Sequence, residues 1–260
     1  MQVSTSASFG NYVYNDSGLT DTNRQVSGLN IGTTYYWRVY GMNNYGRSVW
    51  SAVWNFTTDK LPGTPCPETP KIGYAGKIYN TVQIGNQCWL KKNLDVGSMI
   101  DGLQPQSDNG VIEKYCFRND TANCTLYGGL YDWGEAMQYG TSEGTQGICP
   151  AGWHIPTSAE FDTLAKTVNQ DSDALKAVGQ GTGVGAGTNI TGFTALLGGA
   201  TSSYSTFYGL YIDSYFWRST RANNLYPICT HIWDNYKPIN TEWGSPNPPI
   251  LGYSVRCIKN

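Results

Sequence analysis

Between Asp59 and Pro70 the chain carries prolines at 62, 65, 67 and 70, with Gly63 among them and no hydrophobic periodicity. Proline fixes φ and removes a backbone donor, so neither a helix nor a central strand can run through such a stretch. Residues 59–70 are therefore read as a linker stiffened by its prolines, and the 260-residue chain as two domains, 1–58 and 71–260. Turn formers and large rings are abundant, with 31 Gly, 19 Tyr and 9 Trp, which predicts a turn-rich β protein of the exported kind. Charged residues make up only 14% and the net charge is −2, so the basic footprint that nucleic acid or an anionic membrane requires is missing. No apolar run approaches the roughly 18 residues of a membrane helix, and Met1-Gln2-Val3-Ser4 has no basic-then-apolar leader pattern. A nucleic acid partner and direct membrane insertion are thus not expected.

Seven cysteines are too many to ignore, and their spacing says more than their number. Cys116 and Cys124 flank a short polar loop that a disulfide closes easily, and Cys149 and Cys257 bracket the second half of the chain. Cys66 with Cys88 makes a third pair, which leaves Cys229 alone. Zinc is the rival use, but no C-x-x-C occurs, and His154 and His231 are not at ligand spacing. Disulfides place the protein outside the cell or on its surface, with a phage tail fibre as the alternative carrier.

Residues 1–58 alternate polar and apolar in short runs. Gly10–Tyr14, Arg24–Ser27, Tyr35–Tyr40 and Ala52–Thr57 are predicted as successive antiparallel strands. Ser27-Gly28-Leu29, then Gly32-Thr33-Thr34-Tyr35-Tyr36-Trp37-Arg38-Val39, then Gly46–Ser51 and the closing Phe56-Thr57-Thr58 resemble the later strands of a fibronectin type III domain. The first two strands of such a sandwich have no counterpart, so the chain is expected to begin partway through a module of a longer surface or fibre protein. Nothing catalytic is grouped in this part, and it is read as a spacer.

In the second domain, Lys77–Ile84 and Gln87–Leu90 around Gly85-Asn86 predict a β-hairpin. Tyr131–Tyr139 is a short helix candidate. Thr157 and Glu160 form a capping box before Phe161, Leu164, Ala165 and Val168 at helical spacing, which predicts an amphipathic helix. A third helical piece is expected over 173–178. The glycine run 179–187 has no strand before it and no Lys-Ser/Thr after it, so it is read as a flexible surface loop and not as a phosphate cradle.

Taken together, six ordered motifs resemble the Fibrobacter succinogenes major paralogous domain. They are Thr81–Leu90 with Asn93-Leu94, Leu130–Trp133 with Ala136-Met137, Gly147–Pro156, Gly192–Leu196, Phe216–Thr220 and Gly252–Cys257. The resemblance covers about 71–260 and implies an α+β, C-type-lectin-like domain, here preceded by a partial all-β fibronectin type III sandwich. On this reading a Cys149–Cys257 bridge ties the turn at Pro150–Pro156 to the last strand, with Phe216–Thr220 and Gly252–Cys257 as framework strands. His154 is read as structural, hydrogen-bonding backbone beneath the helix cap, because no nucleophile or carboxylate is fixed beside it in sequence.

The lectin-like fold places ligand sites in the loops before the terminal strand. Some members of the wider group are variable proteins of diversity-generating retroelements, in which adenine-directed mutagenesis rewrites codons between fixed framework residues. Residues 221–251 have a fitting composition, and the candidate ligand contacts are Asn223, Asn224, Tyr226, Ile228, Thr230, His231, Trp233, Asp234, Asn235, Tyr236, Asn240, Glu242, Trp243 and Asn247. Their rings supply contact area at little rotamer cost and their amides adaptable hydrogen bonds. Roughly half of a strand from Leu225 to Trp233 is expected to face the core, with the parity left open because both sets contain apolar residues. Trp233-Asp234-Asn235 carries the residues of the lectin Trp-Asn-Asp motif in another order, and Asp234 and Glu242 are the only carboxylates of these loops. No cofactor is expected, and calcium is the one ion left open. The function implied is non-catalytic recognition of a cell-surface or host molecule, protein or glycan. The alternatives are a structural fibre module and an enzyme like the formylglycine-generating oxidases, which need a copper-binding cysteine pair.

Overall fold

The computed structural model describes residues 1–30, 33–58, 63–202, 206–223, 225–244 and 251–260, and of 241–244 the backbone alone. Its contacts divide the chain into two units, 1–61 and 62–260. The first unit holds β1 (Gln2–Ser4), β2 (Tyr14–Asn15), β3 (Thr34–Arg38), β4 (Met42–Asn43), β5 (Gly46–Arg47) and β6 (Trp54–Thr57). Four of them form a sheet in the order β2-β1-β3-β6, and β4 with β5 makes a small hairpin. The expected strand over 10–14 shortens to Tyr14–Asn15, Arg24–Ser27 joins no ladder, and Gln2–Ser4 is a strand the sequence pattern did not announce. Ring pairs hold β3 to β6: Tyr35 stacks on Phe56 at 5.8 Å, and Trp37 lies tilted against Trp54 at 4.7 Å.

The proline-rich stretch is anchored from Gly63 onward instead of spanning open solvent. Gly63 N donates to Thr191 O at 3.1 Å, Gln83 N donates to Thr64 O at 2.8 Å, and Cys66 is bridged to Cys88. Proline leaves carbonyls free to accept even where it removes donors, so such a segment can pack as an added edge. Residues 59–62 lie outside the described residues.

The second unit is rich in sheet and poor in helix. β7 (Lys71–Tyr74), β8 (Lys77–Ile84) and β9 (Gln87–Leu90) form a meander, and the hairpin turn falls at Gly85-Asn86 with Ile84 paired to Gln87. A two-residue bridge joins β10 (Ser98–Met99) to β11 (Glu113–Lys114) ahead of α1 (Thr121–Tyr127) and α2 (Trp133–Ala136). Next come β12 (Trp153–His154), α3 (Ser158–Thr167), β13 (Gly198–Ser202), β14 (Thr206–Leu210), β15 (Asp213–Ala222), β16 (Tyr226–Trp233), β17 (Asn240–Gly244) and β18 (Ile258–Lys259). One sheet runs β12-β18-β9-β8-β7 and the other β14-β13-β15-β16-β17.

The capping box forms as the sequence predicts, with the Thr157 side chain accepting from Glu160 N and Glu160 accepting from Thr157 N. Phe161, Leu164 and Ala165 then face inward beside Trp89, Phe193 and Phe216. The helix expected over 131–139 is only Trp133–Ala136, capped by Asp132, and the piece at 173–178 is a short 3-10 turn, Ser172–Ala174.

Two apolar clusters lie on opposite faces of the β15/β16 hairpin. Tyr215, Trp217 and Cys229 join one with Tyr131, Trp153 and Tyr253, while Phe216 and Ile232 join the other with Trp89 and Phe161. Both parities are therefore buried, which is why apolar residues occur in both and why alternation could not orient the strand. About half of 225–233 is buried, as expected, but the buried residues run without a break from Ile228 to Ile232 instead of alternating.

The three disulfides are Cys66–Cys88, Cys116–Cys124 and Cys149–Cys257, and Cys229 is free and buried. Gly252–Cys257 is not a ladder strand. It threads between the sheets by single bridges, Gly252 to Thr201, Tyr253 to Tyr131 and Ser254 to Phe216, and only Ile258–Lys259 pairs as a strand. A segment that satisfies its backbone on several elements in turn cannot also keep one ladder partner. Among the described residues no helix is long and apolar enough to cross a membrane.

Candidate functional site

The Phe216–Thr220 motif sits where β15 and β16 lose register. Trp217 pairs with Cys229 and Arg221 with Pro227, so three residues of β15 oppose Ile228 alone. Proline has no N–H to give the ladder, which suits it to such a bulge. The displaced residues bond elsewhere: Ser219 N donates to Pro156 O at 2.8 Å, Ser158 N to Thr220 Oγ1 at 2.9 Å, and Trp133 Nε1 to Arg218 O at 2.8 Å. Arg218 is buried, with Nε on Thr230 Oγ1 at 3.0 Å and Nη1 on Ser158 Oγ at 3.1 Å. The motif thus locks the hairpin to the start of α3.

At the other end of the hairpin a column of rings climbs from the core to the surface. Tyr253 stacks on Tyr215 at 4.7 Å, Tyr215 on His231 at 4.0 Å, His231 contacts Trp233 at 3.7 Å, and Tyr236 stands edge-on to Trp233 at 5.5 Å. His231 Nε2 lies 2.8 Å from Asp213 Oδ1. Tyr236 is 51% exposed, and the turn before β15 presents Tyr211 at 64% and Ile212 at 52%, with the Tyr211 ring 6.3 Å from that of Tyr127. Asp234 N donates to Ile212 O at 2.8 Å, which ties the backbones of the two loops together. Large exposed apolar groups gathered at one place, with Asp234, Asn235 and Lys237 around them, have the composition of a contact surface.

That face is held from below by a buried charge. Lys176, fully buried, pairs with Asp173 at 2.9 Å and donates to Trp233 O at 2.9 Å, Asp234 O at 3.4 Å and Tyr236 O at 3.5 Å. Ser172 N donates to Lys237 O at 2.7 Å, and Thr182 N to Asp234 O at 3.0 Å. The glycine run is accordingly a docking platform more than a free loop. A Cβ on Gly185 would lie 2.3 Å from Asp234 O and 2.6 Å from the Asn235 Cα, so only glycine allows this approach.

The residues singled out in 221–251 separate into three groups. Trp233, Asp234, Asn235 and Tyr236 come together on the face just described. Asn223 is exposed and Tyr226 half-buried at the opposite end of the hairpin, one eight-residue strand away, roughly 25 Å at the usual rise. Ile228, Thr230 and His231 are buried, and Asn240 is half-buried on β17 opposite His231. Those three buried side chains serve sheet packing and the ring column, because β16 is covered on both faces. Asn224 and Asn247 lie outside the described residues, as do the side chains of Glu242 and Trp243. Tyr211, Ile212 and Lys176 were not singled out, although a lysine inside the apolar run Ala174-Leu175-Lys176-Ala177 was a legible signal of a buried charge.

His154 is held by side chains and not by backbone, and the Glu160 carboxylate, which the sequence spacing did not bring beside it, bonds its ring. Its Nδ1 lies 2.7 Å from Asn260 Oδ1 and its Nε2 2.9 Å from Glu160 Oε1. The Glu160 bond raises the imidazole above its ordinary value against the opposing effect of burial. Burial works to raise Glu160, yet the His154 and Thr157 bonds outweigh it and hold the carboxyl below its usual range. Burial pushes the Cys229 thiol up to about 12, which favours the protonated form at neutral pH. Among the described residues no three His, Cys, Asp or Glu side chains converge as they do around a metal.

A family model described as the Fibrobacter succinogenes major domain matches residues 82–259. No curated protein and no solved structure matches the chain. The matched span contains both sheets' central strands, the Phe216–Thr220 lock, the Gly252–Cys257 thread and the Cys149–Cys257 bridge, and the chain belongs to the Fibrobacter succinogenes major domain family.

Proposed function

We propose that the chain is a non-catalytic recognition module that works outside the cell as part of a longer surface or fibre protein. Its second unit is a C-type-lectin-like domain that binds a cell-surface protein or glycan through the face built on Trp233, Tyr236, Ile212 and Tyr211. The first unit is a fibronectin type III-like spacer. The observation that carries this reading is the half-exposed Tyr236 on Trp233, set on a loop whose carbonyls are fixed by buried Lys176. Rigid aromatic anchors on a pre-organised loop lose little entropy on binding, as recognition surfaces require. Three disulfides fit an oxidising location. Catalysis of the formylglycine-generating kind needs a reactive cysteine pair, whereas Cys149 and Cys257 are bonded to each other and Cys229 is buried.

Diversification by a retroelement belongs to the same proposal, and the burial pattern says where it can act. Asn223, Asp234, Asn235 and Tyr236 reach the surface, whereas Ile228, Cys229, Thr230 and His231 are enclosed. Comparing sister copies of the gene tests this. Substitutions concentrated at the first group, with Phe216–Thr220 and Gly252–Cys257 unchanged, support diversification. Uniform drift across the domain contradicts it and leaves a fixed recognition or fibre module.

A further inference from the structure

A pocket of 340 Å³ opens between β8, the segment after β9 and the end of α1. Lys77, Lys92 and Arg256 line it against a single carboxylate, Asp95. That carboxylate is already matched, since it is ion-paired with Lys77 and accepts from Lys114 Nζ at 2.6 Å. Lys92 is exposed and has no ion pair among the described residues. Arg256 is enclosed at the floor, and its guanidinium donates only to neutral oxygens: Asn93 Oδ1 at 2.9 and 2.7 Å, Leu90 O at 3.0 Å and Phe193 O at 2.6 Å. No carboxylate among the described residues reaches it. Burial alone pushes the guanidinium down to about 9, which still leaves it charged at neutral pH.

The guanidinium also lies over the Phe193 ring at 4.3 Å, so a π face and neutral oxygens answer its charge but no carboxylate does, and such a cation keeps part of its desolvation cost. An anion arriving nearby, in a site partly shielded from water, recovers some of that cost. At the mouth, Ile78 is 65% and Leu126 57% exposed, giving the pocket an apolar rim above a cationic floor. The volume is at the small end for ligand sites and suits one ring instead of an extended chain.

We propose that this pocket binds a small acidic ligand, a sugar-sized ring carrying one oxyanion, with Lys92 and Lys77 facing the oxyanion and Ile78 and Leu126 covering the ring. Arg256 sets the field from beneath without touching the ligand. Trp233 and Tyr236 do not line this pocket, although Tyr127 of its wall contacts Tyr211, so either reading can fail alone when tested at Lys92 and at Tyr236. Titration of the full chain with glucuronate, glucose 6-sulfate and neutral glucose, followed by isothermal calorimetry, tests it. Saturable binding of either acid, without binding of glucose, is the expected result, and which acid binds tells carboxylate from sulfate. Lys92→Glu alters an exposed, unpaired side chain, so the fold is retained, as circular dichroism checks. It should weaken binding by at least about tenfold, while Tyr236→Ala leaves it unchanged. The proposal is overturned if neither acid binds, if glucose binds equally, or if Lys92→Glu binds as tightly as the native chain.

Discussion

Lys176 carries its charge where solvent does not reach, and its geometry explains why that is tolerated: one carboxylate and three carbonyls surround it. Removing the buried partner leaves Asp173 with only the half-exposed Lys237, 3.4 Å away, so Lys176→Met should destabilise the domain by about 3 kcal/mol. Amide exchange at Asp234–Lys237 should accelerate more than at β8 or β9, and Asp173→Asn in the same chain should recover part of the loss. Urea unfolding with site-resolved exchange measures both. His154 and Glu160 make a smaller, pH-dependent contribution. The His154 value is raised above 6.5 in the fold, so its stabilisation is complete below about pH 6.5 and fades as pH climbs through the raised value. The Glu160 value is lowered below 4.5, so its contribution is complete above about pH 4.5 and fades as pH falls through the lowered value. Both are present together between those limits. The stability difference between the native chain and Glu160→Gln should therefore be largest between about pH 4.5 and 6.5, at about 1 kcal/mol, and shrink as pH climbs through the raised His154 value. A flat difference from pH 5 to 9 would show that the pair contributes nothing electrostatic.

Among elements, the contact of the glycine run with the 234–236 loop is the most exacting. Gly185→Ala places a methyl against Asp234 O and the Asn235 Cα, so the loop must move, and binding at the face should fall by about tenfold or more with a modest loss of stability. Gly183 has φ 56 with open space around it, so Gly183→Asn, a residue that tolerates this region, should leave the face as it is. Local elements were legible in the sequence wherever one physical rule governed them. The Gly85-Asn86 hairpin and the Thr157/Glu160 cap depend only on neighbours in the chain, and both form as read. The β16 strand was legible in position but not in facing, because clusters on both sides bury both parities. Likewise Gly252–Cys257 reads as a strand from its alternation, but its partners are Thr201, Tyr131 and Phe216, which no local pattern reveals. The face itself was half legible. Trp233 to Tyr236 stood out by composition, whereas Ile212 and Tyr211 join them only through the bond from Asp234 N to Ile212 O.

For the whole molecule, long covalent closures hold together a fold with little helix and many irregular segments. Cys149–Cys257 spans 108 residues, Cys66–Cys88 spans 22 and Cys116–Cys124 spans 8. On loop-closure entropy the paired serine replacements should cost about 5, about 3.4 and about 2.5 kcal/mol in that order. Denaturant midpoints of the three variants test the ranking, and equal losses would point to local packing instead of chain closure. The longest bridge also fixes the Gly252–Cys257 thread against the Pro150–Pro156 turn, so its loss should loosen both sheets together. The central claim concerns what these supports present to the outside. It is tested most directly by adhesion of beads coated with the chain to whole bacterial and epithelial cells, comparing the native protein with Tyr236→Ala. Truncating a central ring anchor removes about 2 kcal/mol of binding, roughly a 30-fold loss. Saturable adhesion of the native chain to one class of cell is expected, with a loss of that order in the variant and its unfolding midpoint unchanged. Equal adhesion of the native chain and the variant would contradict it.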